Sequence, residues 1–348
     1  MKNYLRPWLP LLFIVVFAAK FTTAQAQLLE PENLGLVKWL DLKTAQELNK
    51  KQPKPFLIDV YTDWCGWCKH MMKTTFSNPG LAAYINAYFY SVRFDAESKD
   101  TIEFLDKKYI NKGVGNRPPN ELAIEMLEGK LSYPTTVFYN NDYKFKLLAP
   151  GYMDVKTIEP LLVYAVEYIF NTTSVADFQK YYQKAFYPDS TFVNKDSVLW
   201  MHRFNDATKK NDMVKRKTMV FVSTSWCNGG KAMMKSTFNN SEVTDYINKN
   251  FHAVYMDALS KDSITYDNKV YVTTFDSQAF NPFLQALLGN QVAIPCTLFF
   301  DEDMKFLTKV NQYLTPEHLD VILHYFNDNA YKTQEWDAYV KTFSKDKK

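Results

Sequence analysis

Residues 63–76 read DWCGWCKHMMKTTF, and residues 225–238 read SWCNGGKAMMKSTF. A shift of 162 residues superimposes Trp64, Cys65, Lys69, Met71, Met72, Lys73, Thr75 and Phe76 on Trp226, Cys227, Lys231, Met233, Met234, Lys235, Thr237 and Phe238. The register continues, with Tyr84-Ile85-Asn86 recurring as Tyr246-Ile247-Asn248, Phe89 as Phe251 and Asp95 as Asp257. Farther on, Tyr133-Pro134-Thr135-Thr136 recurs as Ile294-Pro295-Cys296-Thr297 at a shift of 161. A repeat near 160 residues has the size of a domain, not of a solenoid turn. The 348-residue chain is therefore expected to fold as two similar units in tandem.

Hydrophobic patterning within the first unit predicts its elements. Leu42–Lys51 is amphipathic and stops at Pro53 and Pro55. Phe56–Tyr61 is a short apolar run, the signature of a buried strand. The cysteine motif opens a helix running to about Ser77, a second helix covers Leu81–Phe89, and a strand covers Tyr90–Asp95. Thr135–Tyr139 and Lys144–Leu148 read as strands joined by a turn at Asn140-Asn141-Asp142, and Val155–Tyr168 as a closing helix. This order predicts an α/β unit with a central mixed sheet flanked by helices. Residues 171–195 read as a linker holding a short aromatic helix, Ala176–Phe186, and Gln334–Phe343 as its counterpart at the end of the chain. Packed appendages and a plain linker and tail are both open readings.

Lys2 and Arg6 precede an apolar run from Trp8 to Ala19, followed by Ala24-Gln25-Ala26. That is the pattern of a secretory signal peptide over residues 1–26, cut before Gln27. The run is too short for a spanning helix, so no stable membrane insertion is expected after cleavage. The leader holds Lys2, Arg6 and Lys20 and no acid, leaving 38 basic against 38 acidic residues. Without a basic excess, nucleic acid is a poor candidate partner. The expected exported, periplasmic setting allows disulfides among Cys65, Cys68, Cys227 and Cys296. The remaining boundaries are expected at 27–170, 171–195, 196–330 and 331–348.

Trp64-Cys65-Gly66-Trp67-Cys68-Lys69 after an apolar strand, with Tyr133-Pro134-Thr135 before a later one, resembles the thioredoxin superfamily. With Met71-Met72 and Thr75-Phe76, it is most similar to exported thioredoxin-like proteins of the DUF255 and thioredoxin-7 type. The resemblance covers roughly residues 37–168 and, more weakly, 199–326. It implies two tandem thioredoxin-like domains and thiol–disulfide exchange, with the redox-active disulfide in place of any cofactor. Cys65, at a helix N-terminus that favours a thiolate, would attack; Cys68, one turn in, would resolve the mixed disulfide. Asp59 interrupts the apolar strand FLIDVY, and the resemblance implies that it moves the resolving thiol's proton. Arg93 falls near the place of a basic partner for that acid. Pro134 would follow a cis peptide facing the cysteines, with the Tyr133 backbone pairing an incoming chain. Trp64, Gly66 and Trp67 complete the expected site. Its partners would be protein thiols and disulfides and a redox partner protein.

Other chemistries fit less well. Structural zinc needs about four ligands, and no second Cys/His pair has suitable spacing. His70 comes one position late for a Cys-x-x-Cys-His haem site and reads as a helix-surface residue. Gly113-Val114-Gly115 reads as a loop, and the Met pairs as core filler.

In the second unit Gly230 replaces Cys68, Phe221 replaces Asp59 and Tyr255 replaces Arg93. Loss of the whole set implies a copy that has given up dithiol exchange and serves for partner binding or support. Cys227 and Cys296 would form a disulfide if the residue after Pro295 faces the motif, and stay apart if it faces away. Two functions remain open for the chain: an exported thiol–disulfide oxidoreductase, or a binding, chaperone-like module whose Cys65–Cys68 disulfide is structural.

Overall fold

The computed structural model describes residues 35–188, 197–273, 279–289 and 293–346. The expected leader and its cleavage point lie outside the described residues. The first unit opens with β1 (Trp39–Leu40), α1 (Leu42–Lys51), β2 (Phe56–Tyr61), α2 (Gly66–Thr74), α3 (Pro79–Tyr88) and β3 (Tyr90–Asp95). It continues through β4 (Ile102–Phe104), β5 (Lys107–Tyr109), α4 (Glu121–Met126), β6 (Thr135–Tyr139), β7 (Lys146–Pro150), α5 (Val155–Val166) and α6 (Val175–Phe186). Local chemistry sets several boundaries. Asp41 caps α1 by accepting from the Thr44 amide, and Asn78 caps α3 by accepting from Leu81, with Pro79 in the first turn.

The sheet order is β1-β3-β2-β6-β7. β1 and β2 run parallel to β3, whereas β6 is antiparallel to β2 and β7 to β6. β2 lies inside the sheet with helices on both faces, which is why its sequence is apolar almost throughout. Phe56, Ile58 and Val60 join a cluster with Ala45 of α1 and Leu122 of α4. Leu57 joins the opposite cluster with Met71 and Met72 of α2 and Ile85 of α3. By strand alternation, Asp59 shares the Leu57 face and so lies on the side that α2 covers.

The second unit repeats this plan. It comprises α7 (Phe204–Met213), β8 (Lys217–Ser223), α8 (Asn228–Lys235), α9 (Ser241–Asn250), β9 (Phe251–Asp257), β10 (Ile264–Tyr266) and β11 (Lys269–Tyr271). Then follow α10 (Pro282–Leu288), β12 (Cys296–Phe300), β13 (Phe306–Val310), α11 (Pro316–Asn327) and α12 (Trp336–Asp346). Its strand order, β9-β8-β12-β13, matches β3-β2-β6-β7. Met201 bridges Val254 in parallel where β1 joins β3 in the first unit.

One hairpin and one short helix, absent from the sequence reading, recur in both units. Leu105 and Asp106 turn β4 into β5 with φ of 50° and 61°, and Asp267 and Asn268 turn β10 into β11 with φ of 49° and 57°. Beside each hairpin one Asn ties a loop to a helix. The Asn120 amide donates to the Ser98 and Asp100 carbonyls, while its Oδ1 caps α4 by accepting from Leu122. Asn281 does the same with Ser260, Asp262 and Phe283.

Of the two open readings of residues 171–195, the packed appendage is the one the fold adopts. Helix α6 spans most of the described part, and it is core. Its Phe178 and Tyr182 are almost fully buried in one cluster with Phe221, Met233, Phe238 and Tyr313 of the second unit. The Phe178 ring meets Tyr313 edge-on at 5.0 Å between centroids. Each large apolar side chain buried this way contributes about 1.5–3 kcal/mol, so the two units are held by a shared core. The terminal α12 is a helix rather than a tail, and its Trp336 keeps 38% of its surface. Among the described residues, no helix is long and apolar enough to cross a membrane.

Candidate active site

The chain leaves β2 at Tyr61 and turns tightly, with the Cys65 amide donating to the Thr62 carbonyl at 3.1 Å. Cys65 then caps α2: its Sγ accepts from the Cys68 amide at 3.0 Å. A sulfur held by a backbone N–H at a helix N-terminus is in the right place to carry negative charge when reduced. Cys65 and Cys68 form a disulfide with Cα atoms 5.3 Å apart. Both are nearly covered, at 4% and 1% exposure, although their neighbours Trp64 and Trp67 keep 50% and 62%. Gly66, between them, has no heavy atom within 4 Å of where a Cβ would stand, so space does not dictate glycine there.

The flanking tryptophans are held differently. Trp64 Nε1 donates to Glu97 Oε1 at 2.9 Å, Arg117 lies over its ring at 4.6 Å, and Tyr133 meets it edge-on. Trp67 groups with His70 and Tyr152, at ring separations of 5.6 and 5.5 Å. His70 is thus on the helix surface, part of an aromatic patch beside the disulfide. The Tyr133–Pro134 peptide is cis and leads directly into β6, whose Thr135 pairs with Val60 of β2.

Asp59 is 1% exposed, and neither carboxylate oxygen has a hydrogen-bond partner. Arg93 Nε approaches Oδ2 only to 3.6 Å, too far for a hydrogen bond. Its guanidinium instead stacks on Tyr61 at 3.7 Å. Burial pushes the Asp59 carboxyl up to about 7, and the charge of Arg93 offsets only part of that shift. An acid with that balance both takes and returns a proton near neutral pH. An open cleft of about 510 Å³, lined by Tyr61, Arg93, Asp95 and Ile102 among others, gives Arg93 its solvent side.

The second unit keeps the backbone of this site and replaces its chemistry. The Ile294–Pro295 peptide is also cis, and Cys227 caps α8 by accepting from the Gly230 amide at 3.3 Å. Phe221, in the Asp59 place, packs against Phe238 at 4.7 Å and Tyr255 at 6.2 Å. Of the two alternatives for Cys227 and Cys296, the disulfide is not formed; both thiols are free and buried. Strand alternation explains why. Cys296 belongs to the cluster of Val220, Val222 and Leu298 against α7 and α10, whereas Ala232 and Met233 of α8 belong to the opposite face. Cys296 Sγ instead lies 3.0 Å from Asn311 Oδ1. Burial drives both thiols up to about 12, far from a reactive thiolate.

Sequence reasoning missed Glu97, Arg117 and Tyr152, which meet the motif only through folding; Arg117 in Asn116-Arg117-Pro118 carried no motif of its own. It also missed Glu167, whose carboxylate reaches the second motif. Among the described residues, no group of three or more His, Cys, Asp or Glu is arranged to hold a metal.

Residues 19–158 match a family model described as a protein of unknown function, DUF255, with a DsbH-like thioredoxin designation. Residues 204–327 match a thioredoxin-like domain model. The thiol:disulfide interchange protein DsbD of Tatumella citrea is 41% identical over 58 residues, 17% of this chain and 9% of that protein. DsbD of Vibrio vulnificus (strain YJ016) is 33% identical over 67 residues, 19% of this chain and 11% of that protein. The matched stretch thus spans about a tenth of these curated relatives. A thioredoxin-fold protein from Helicobacter pylori is 16% identical with a TM-score of 0.30, over 37% of this chain and 81% of that one.

Proposed function

We propose, on the footing that both units are thioredoxin-superfamily domains and the first is of the DUF255 type, that the chain is an exported thiol–disulfide oxidoreductase working through Cys65 and Cys68. The observation that carries this reading is the buried Asp59, its oxygens without a hydrogen-bond partner, on the sheet face covered by the helix that holds the disulfide. A structural disulfide has no use for such an acid, whose burial is costly.

In the reducing direction, Cys65 thiolate attacks a client disulfide. A bond forms from Cys65 Sγ to one client sulfur, and the other client sulfur leaves as a thiolate and takes a proton. Cys68 then passes its proton to the Asp59 carboxylate and attacks Cys65 Sγ. The mixed disulfide breaks, the second client thiol is released, and the Cys65–Cys68 disulfide closes. Two electrons have moved to the client. The exposed Trp64 and Trp67, and the Tyr133 backbone ahead of Pro134, form the surface a client chain would meet. Export rests on the basic N-terminus, the apolar run and Ala24-Gln25-Ala26.

Removing the resolving thiol provides the test. Reduced Cys68→Ala protein mixed with oxidised insulin should accumulate a mixed disulfide through Cys65, visible as a dithiothreitol-sensitive adduct by mass spectrometry. No adduct at Cys65 would count against the reading. The second reading, a binding module with a permanent disulfide, is favoured by the near-complete burial of both cysteines.

A further inference from the structure

We infer that the degenerate motif of the second unit is a receptor for the Glu167 carboxylate of the first, and that this contact closes off Cys227. The inference stands whether or not the first unit exchanges disulfides.

Glu167 is the C-cap of α5, and it reaches across to the N-terminus of α8. Oε1 accepts from the Asn228 amide at 2.9 Å, and Oε2 accepts from the Gly229 amide at 2.8 Å. Cys227 Sγ lies 3.6 Å from Oε2, so the thiol can donate to the same oxygen. An anion meeting the unpaired amides of a helix N-terminus is favoured by both hydrogen bonds and the helix dipole. All three contacts join residues from different units.

The motif's changes fit this occupant. A Cβ at Gly229 would stand 2.3 Å from Glu167 Oε2, and one at Gly230 would stand 2.0 Å from Ser223 Oγ. The first unit carries Trp67 and Cys68 at these positions, and Trp67 there projects into solvent at 62% exposure. So the helix end that the first unit leaves open beside its disulfide is occupied, in the second, by the first unit itself. Glycine at 229 is the residue that lets a carboxylate reach the backbone. Tyr84 of α3 and Ile169, just after α5, pack around the same point. Asp328, the C-cap of α11, holds the Glu167 place in the second unit, and its Oδ1 accepts from the neighbouring Asn327 side chain.

The test is alkylation of the native, full-length, disulfide-intact chain with iodoacetamide, with labelled sites located by mass spectrometry. Cys296, buried on the other sheet face, is the internal reference. Loss of two charge-assisted hydrogen bonds should speed labelling of Cys227 by at least about tenfold in Glu167→Ala, with Cys296 unchanged. Gly229→Ala, which drives a methyl into the carboxylate, should do the same, and it serves if Glu167→Ala does not fold. Glu167→Gln, which keeps one acceptor oxygen, should fall between, and Asp328→Ala should leave the rate as in the wild type. Equal Cys227 rates in wild type and both variants would overturn the inference. So would a parallel rise at Cys296, which would mean general loosening rather than release of one contact.

Discussion

Full-length Cys65→Ser protein is expected to reduce insulin disulfides no faster than the dithiothreitol in the assay does alone, a loss of at least about a hundredfold. A serine hydroxyl does not ionise near neutral pH, so the amide that faces the Cys65 sulfur has no anion to hold. Cys68 cannot take over the attack, because it lies one turn inside α2 whereas Cys65 stands at its N-cap. The fold itself should survive. The second unit builds the same strand order around Cys227 without any disulfide, so the scaffold does not depend on one. An unchanged far-ultraviolet circular dichroism spectrum would therefore separate lost chemistry from lost structure. Retained insulin reduction by this variant would remove Cys65 from the role proposed for it.

The second large effect is expected at Asp59. If this carboxylate takes the Cys68 proton, Asp59→Asn should slow release of the mixed disulfide by about a hundredfold near pH 7, within the usual range for a lost general base. Single-turnover mixing of reduced protein with a disulfide substrate would show it, with Trp64 and Trp67 as fluorescent reporters. The same substitution should change how stability depends on pH. The Asp59 carboxyl moves from 3.8 in the unfolded chain to about 7 in the folded one. Between those values the folded chain holds a proton that the unfolded chain has lost. The stability tied to that proton is complete below the unfolded value and is lost as the pH rises through about 7. A shift of this size corresponds to on the order of 4 kcal/mol. Glu167 contributes with the same sign, since burial raises it from 4.5 to about 7 despite its two amide donors. Wild-type protein should therefore lose stability in denaturant titrations as the pH rises from about 4 to about 7. Asp59→Asn should flatten that slope in part, and adding Glu167→Gln should flatten it further. An unaltered slope in Asp59→Asn would mean that Asp59 is not the buried acid described.

Much of the scaffold was legible because its strongest signals are local. Phe56–Tyr61, Tyr90–Asp95 and Thr135–Tyr139 are apolar runs bounded by proline, asparagine or charge, and the strands fall on those residues. Asp59 stood out as an acid in the interior of an otherwise apolar run. The hairpins were harder. Leu105-Asp106 adopts positive φ without glycine or asparagine, so the first turn carries no signal; Asp267-Asn268 does carry one, and through the repeat it could have revealed both. The aromatic spacing of Phe178, Tyr181 and Tyr182 marked α6 as amphipathic, but its partner surface is built from β8, α8 and the segment after β13. Long-range burial of that kind leaves no mark near the helix. Glu167 is the extreme case: an acid at a helix end looks solvent-facing until folding brings α8 to it. The Cys227–Cys296 pairing stayed open in the sequence because it turns on which face of β12 the residue after Pro295 occupies, and that face is the one away from α8.

The reduction potential of the Cys65–Cys68 pair, read from glutathione or dithiothreitol redox titration, tests the central claim most directly. A pair built for exchange is expected above about −300 mV, in the span from roughly −270 to −120 mV where exchange-active dithiols lie. A value below about −300 mV would identify a structural disulfide, and would contradict the assignment of the first unit as an oxidoreductase.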